Sequence, residues 1–229
     1  MASKLTCILY LEPSHSSQFY QNILKFYDQS LKLFGPNNAH QYGPHISMTG
    51  FFTLYDSQRI INNGNIDENY EYISAYKKLD QIIQFIDNFL NNNHNITYPL
   101  VKNIIFSNSR NLLISLQVCQ EMLDLVNQLS QLSFDESNSN SNVLVKDNST
   151  KTIIRSKAIN HLSLAYYDDG FFSNNTIKNL ESMANEFIVF DELKEQKCGW
   201  DIVIYEKIHH SIRLEEKHVF REIKRWNVF

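Results

Sequence analysis

Long apolar runs are missing from this chain. No stretch approaches the roughly 18 apolar residues a membrane-spanning helix needs, and the short apolar run at 5–11 ends at Glu12-Pro13 before it reaches the length of a secretory signal core. The reading is of a soluble intracellular protein, cytoplasmic or nuclear, with no membrane partner. Cysteine is also sparse. Cys7, Cys119 and Cys198 are an odd set, far apart in sequence, so neither a disulfide framework nor a zinc spacing emerges. Cationic charge is not in excess: Lys and Arg number 21 against 25 Asp and Glu, for a net charge of -4. A long nucleic-acid footprint needs many cations set against phosphates, whereas a small anionic ligand needs only a local pocket. Glycine is scarce, at 6 residues. No obligate protein partner is evident, and a monomer is expected.

What is plentiful is apolar and aromatic surface to bury. The 229 residues are 43% hydrophobic, with Phe 15 and Tyr 12, enough for one domain or two tightly joined lobes. Residues 5–11 read as a first strand stopped by Pro13. Phe19, Ile23, Phe26, Tyr27, Leu31 and Phe34 recur at helical spacing, with serine caps before them and Gly35-Pro36 after. Stretch 62–71 reads as a polar loop. Tyr72, Tyr76, Leu79, Ile82, Ile83, Ile86 and Phe89 mark a second helix. Strands over 98–106 and 112–118 are joined by a hairpin turn, and a helix follows over about 119–132. The Ser/Asn-rich tract at 136–150 cannot form a core and reads as a disordered loop. A fourth helix carries Ile177, Leu180, Met183, Ala184 and Phe187. A strand runs over 200–205, and a last short one over 219–223, within an apparent C-terminal extension, 206–229.

Two strand segments look alike. Pro44-His45-Ile46-Ser47-Met48-Thr49 is followed by Phe51-Phe52, and Asn160-His161-Leu162-Ser163-Leu164-Ala165 by Tyr166-Tyr167. A period of two puts His45, Ser47 and Thr49 on one face with Ile46 and Met48 opposite. The same period puts His161, Ser163 and Ala165 opposite Leu162, Leu164 and Tyr166. If the two strands share a groove, both histidines meet one ligand. Opening a cyclic phosphodiester with water needs a base for the water and an acid for the leaving oxygen, and two imidazoles supply both near neutral pH. Serine hydroxyls can donate to the phosphate oxygens without changing charge. The candidate catalytic residues are therefore His45, His161, Ser47 and Ser163. One such motif alone reads rather as a half-buried histidine satisfied by a neighbour; the pairing gives the signal its weight.

The two motifs, Pro44-His45-Ile46-Ser47 and Asn160-His161-Leu162-Ser163-Leu164, resemble the hallmark of the 2H phosphoesterase superfamily, the LigT-like or cyclic nucleotide phosphodiesterase-like proteins. The order of strands and helices resembles it over most of the chain. The resemblance implies an α+β, two-lobed fold, antiparallel sheets flanked by helices with a central cleft. It implies a cyclic phosphodiesterase with no metal or other cofactor, acting on nucleoside 2′,3′-cyclic phosphates or ADP-ribose 1″,2″-cyclic phosphate, products linked to tRNA splicing. By the same likeness His161 activates water and His45 protonates the leaving oxygen, giving a 2′-phosphate. Other relatives act on RNA 3′ ends or 2′–5′ oligoadenylates, and a non-catalytic nucleotide- or RNA-binding module remains a third reading. Relatives usually carry a proline where Asn160 stands, and the Ser/Asn tract and the C-terminal extension are outside the pattern.

Around this groove Tyr42, Phe52, Tyr166 and Tyr205 are candidate substrate-binding residues, since aromatics can stack a base; core or rim packing is the competing reading. His209-His210, and His218 with Lys217, Arg221, Lys224 and Arg225, read as a solvated face, although the cluster could attract a phosphate-rich ligand. His15, His40 and His94 sit in polar surroundings.

Overall fold

The computed structural model describes residues 4–56, 61–62, 65–66, 74–107, 110–132, 134, 152–188 and 198–228. The Ser/Asn-rich tract lies outside them. Strand β1 (Lys4–Pro13) leads into helix α1 (Gln18–Phe34), and a turn of 3-10 helix (Asn38–Gln41) precedes the short strands β2 (Ile46–Ser47) and β3 (Phe52–Tyr55). Within the stretch read as a polar loop, β4 (Ile61–Asn62) and β5 (Asn65–Ile66) pair with each other. Then come α2 (Ala75–Asn92), the hairpin β6 (Leu100–Ser107) and β7 (Asn111–Gln117), and α3 (Gln120–Ser130). Strand β8 (His161–Tyr166), α4 (Asn174–Phe187), β9 (Trp200–His209) and β10 (Val219–Asn227) follow.

The fold is α+β, with two antiparallel sheets flanked by helices. The larger runs β10-β9-β1-β2, with β3 pairing farther along the same edge of β1; the smaller runs β6-β7-β8. The segment read as a C-terminal extension is thus part of the larger sheet: β9 continues to His209, and β10 pairs with it over most of its length.

Local signals explain the helix limits. Ser17 caps α1 by accepting from the Tyr20 N–H, and Ser74 and Ser173 cap α2 and α4 in the same way. Gly35 ends α1 at φ 79, where a Cβ would be strained, and its N–H satisfies Leu31 O. Of the stripe its spacing predicts, Phe19, Ile23, Phe26 and Tyr27 are buried and Phe34 is partly buried, whereas Leu31 is exposed. One continuous core takes Leu9, Leu11, Ile202 and Ile204 from the larger sheet and Leu112, Ile114, Leu162 and Leu164 from the smaller. Strand β1 is buried on both faces. Leu5, Cys7, Leu9 and Leu11 join that core, whereas Ile8, Tyr10 and Glu12 are buried on the opposite face. Apolar burial of this kind contributes about 25 cal/mol per Å² removed from water.

His40 departs from the sequence reading. It is buried, 8% exposed, beneath α1. Its Nδ1 accepts from the Asn37 N–H at 3.0 Å, so its Nε2 carries the proton and donates to Ser30 Oγ, also at 3.0 Å. Burial pushes its pKa down from 6.5 to about 4. The unfolded chain therefore binds the proton more readily, and stability is lost as pH falls from 6.5 towards 4. The expected loss from this group is about 3 kcal/mol. Urea unfolding across that window should show it, and His40→Gln, which cannot titrate, should flatten the slope; an unchanged slope refutes the assignment.

Candidate active site

The two motifs lie on different sheets, and one stretch of main chain brings them together. Gly50 N–H donates to Arg155 O at 2.9 Å, Lys157 N–H donates to Met48 O at 3.0 Å, and Thr49 and Ser156 form an antiparallel bridge. The chain then crosses to the smaller sheet, where Leu116 N–H donates to Asn160 O at 2.8 Å and β8 begins. Strand β2 thereby packs against β8. The antiparallel pairing sets His45 near the start of β8.

Each imidazole is held by Nδ1. His45 Nδ1 lies 2.8 Å from Gly43 O, and His161 Nδ1 lies 2.7 Å from Asn160 Oδ1. These oxygens only accept, so Nδ1 carries a proton in both rings and each neutral ring presents a bare Nε2. Asn160 is therefore what orients His161. The ring of His45 stacks on Tyr10 with centroids 3.9 Å apart.

The charges around the two rings differ. Both pKa values lie below the ordinary 6.5, chiefly because burial disfavours the cation. Against that, the Glu12 carboxylate favours a protonated His45, while Lys157 opposes protonation of His161. His161 also opposes charge on His45, so the pair holds one proton more readily than two. Ser47 stands opposite Tyr10 across the β1–β2 ladder, on the His45 face. Neither Ser47 Oγ nor Ser163 Oγ has a hydrogen-bond partner among the described residues.

Two irregularities revise the expected alternation. Tyr10 faces Ser47 but Cys7 faces Phe52, so Met48, Thr49, Gly50 and Phe51 stand opposite only Ile8 and Leu9. Met48 and Thr49 N–H both donate to Leu9 O, and Thr49 Oγ1 accepts from the Leu9 N–H at 3.1 Å. Thr49 is consequently buried, 1% exposed, rather than beside His45. The second irregularity lies between Leu112 and Leu113, which face Ala165 and Ser163. It leaves Leu164 as an extra residue and reverses the faces beyond it. Ala165 enters the core, and Tyr166 joins the histidine face, close enough to act on the Tyr10 phenol and to feel that of Tyr42.

Of the aromatic candidates, Phe52 is corrected. It is buried in the core opposite Cys7 and lines a narrow apolar gap with Leu9, Thr49 and Ile82. Its neighbour Phe51 is the exposed ring, stacked on Phe220 at 6.2 Å with Lys207 Nζ 4.4 Å above it. The extra residues opposite β1 caused the exchange. Tyr42 lies beside His45, ring centroids 5.4 Å apart. Tyr205 shares the face, but its hydroxyl is committed, donating to Glu12 and accepting from Arg225. His218 is corrected too: it is buried edge-on to Tyr42 at 4.6 Å, and burial pushes its pKa down to about 4. Arg221, Lys224 and Arg225 are paired with Glu206, Asp87, and the Glu12–Asp201–Glu222 carboxylates. They are not a free phosphate-attracting patch. Burial raises the Cys7 thiol to about 12 and the Cys198 thiol to about 11, which removes both as nucleophiles at neutral pH. Among the described residues no His, Cys, Asp and Glu group could hold a metal ion.

Sequence reasoning missed Tyr10, Phe51, Lys157, Lys207 and Phe220. Only Phe51, adjacent to a motif, carried a local signal. No protein-family model matches the chain, and no curated protein sequence matches it.

The local charges make a direct test. In histidine-ring NMR titrations, Asn160→Asp should raise the His161 pKa by placing a carboxylate at Nδ1, and Lys157→Gln should raise it by removing a cation. A His161 titration unmoved by both variants contradicts this geometry.

Proposed function

We propose that this protein opens a cyclic phosphodiester with water, a nucleoside 2′,3′-cyclic phosphate or ADP-ribose 1″,2″-cyclic phosphate, in the manner of the 2H phosphoesterases its motifs resemble. The two sheets are then the two lobes, and their polar faces wall the cleft. The observation that carries the reading is the meeting of β2 and β8, with two bare Nε2 atoms and two unpartnered serine hydroxyls, between opposite electrostatic biases.

His161, beside Lys157, is the base. Its Nε2 takes a proton from water as the water oxygen bonds to phosphorus. His45, favoured as the cation by Glu12, is the acid, and its Nε2–H proton passes to the ribose oxygen as the P–O bond breaks. The product is a phosphomonoester, and the two rings return to their starting states by proton exchange with solvent. Ser47 and Ser163 donate to the non-bridging oxygens, where negative charge develops. These groups supply acid, base and oxyanion donors, so the step calls on no metal. Three unpaired cysteines fit a reducing cytoplasm or nucleus.

Purified protein with EDTA should hydrolyse adenosine 2′,3′-cyclic phosphate. His45→Ala and His161→Ala should each lose about 100-fold or more, and Ser47→Ala and Ser163→Ala about 10-fold or more. Nucleotide binding without turnover in the wild type would favour the binding module. The pH dependence follows from the shifts: kcat/KM falls at low pH as His161 gains a proton, and at higher pH as His45 loses its own. Because both values are lowered from 6.5, both limbs of the bell should lie on the acid side of 6.5; an optimum above pH 7.5 contradicts the assignment.

A further inference from the structure

Tyr10 carries an unmet requirement. It is 4% exposed, on the histidine face of β1, directly opposite Ser47 and flat against the His45 ring. A buried phenol normally finds a hydrogen-bond partner. Tyr27 donates to Ser163 O, Tyr167 to Pro36 O and Tyr205 to Glu12. The Tyr10 hydroxyl has no partner among the described residues. Nor do the half-buried Tyr42 and Tyr166, whose phenols are among its electrostatic neighbours.

The setting limits what this corner can accept. The charged group that acts on Tyr10 is Glu12, and Tyr42 and Tyr166 both feel Asp168. All three phenols are held neutral, so each can both donate and accept. Lys207 over Phe51 and Lys157 on the chain paired with Met48 lie the other way along the face, and Arg225 at the tyrosine end is already paired with Glu12, Asp201 and Glu222. A second phosphate would meet carboxylates at the tyrosine end. An uncharged group that both donates and accepts fits it.

We infer that Tyr10, with Tyr42 and Tyr166, forms a sugar-hydroxyl subsite beside the histidines, in which Tyr10 Oη hydrogen-bonds a free hydroxyl of the ligand's sugar. This rests on the cyclic phosphate lying between the histidines. In a nucleoside 2′,3′-cyclic phosphate O2′ and O3′ are taken up by phosphorus, so the free hydroxyl is at 5′. An RNA 3′ end carries a phosphodiester there instead, and the subsite therefore favours the mononucleoside.

The test compares adenosine 2′,3′-cyclic phosphate with its 5′-deoxy analogue. Wild-type kcat/KM should favour the hydroxyl-bearing substrate by about 10-fold or more, and Tyr10→Phe should bring that ratio to about 1. The same variant should melt no lower than wild type, because the lost hydroxyl bonds none of the described residues. Equal loss on both substrates, no wild-type discrimination, or a marked drop in Tm each overturns the subsite while leaving the hydrolase reading standing. If neither compound is turned over, the hydrolase reading fails separately. Equilibrium dialysis of the same two compounds then decides: tighter wild-type binding of the hydroxyl-bearing one, lost in Tyr10→Phe, supports the subsite, and equal or absent binding overturns it.

Discussion

The arrangement depends on a few main-chain hydrogen bonds in which only backbone N–H and C=O groups take part. Met48 and Gly50 pair with Lys157 and Arg155, and Asn160 O accepts from Leu116 N–H. Through them residues 155–160 are continuous with both sheets. They hold β2 beside β8, while Ile46, Met48, Leu162 and Leu164 join one core on the other face. Backbone groups in such a crossing have few alternatives once buried, since an unpaired N–H or C=O there is costly. The distance between the two histidines is thus set by ladder geometry rather than by their own side chains.

On that frame the two motifs, alike in sequence, acquire unlike surroundings. His45 sits under aromatic rings and near the Glu12 carboxylate, which is itself held by Arg225 of β10. His161 is oriented by an asparagine and lies near a lysine. Acid–base chemistry needs this inequality, since two identical imidazoles would have no preferred direction of proton transfer. The strand at the edge of the larger sheet contributes at a distance. Arg225 steadies Glu12, and Phe220 backs both Tyr42 and Phe51. What reads in sequence as a basic tail is thereby a supporting wall.

Legibility followed the range of the interactions. Elements with a clear period and caps, such as α1 behind Ser17 and ahead of Gly35, were visible because their determinants lie within a few residues. The placement of Phe52, Thr49 and Tyr166 was not visible. Each sits beyond a ladder irregularity, and a local shift in a strand sends later side chains to the other face. His40 and His218 looked polar and turned out buried, because their partners, Ser30, Asn37 and Ser211, bond them through folding of the intervening chain.

The sequence by itself determined the mix of helices and strands, the paired histidine–serine segments, and a charge pattern unsuited to a long polyanion, all of which follow from composition and short-range periodicity; the α+β class was what the resemblance of the two motifs implied. Only the tertiary structure decided which face each aromatic takes, that Asn160 orients His161, and that Tyr10 is buried beside His45 with its hydroxyl unpartnered among the described residues. Those outcomes come from strand register and from side-chain contacts that only the folded chain makes. Neither is written in the spacing of any one stretch.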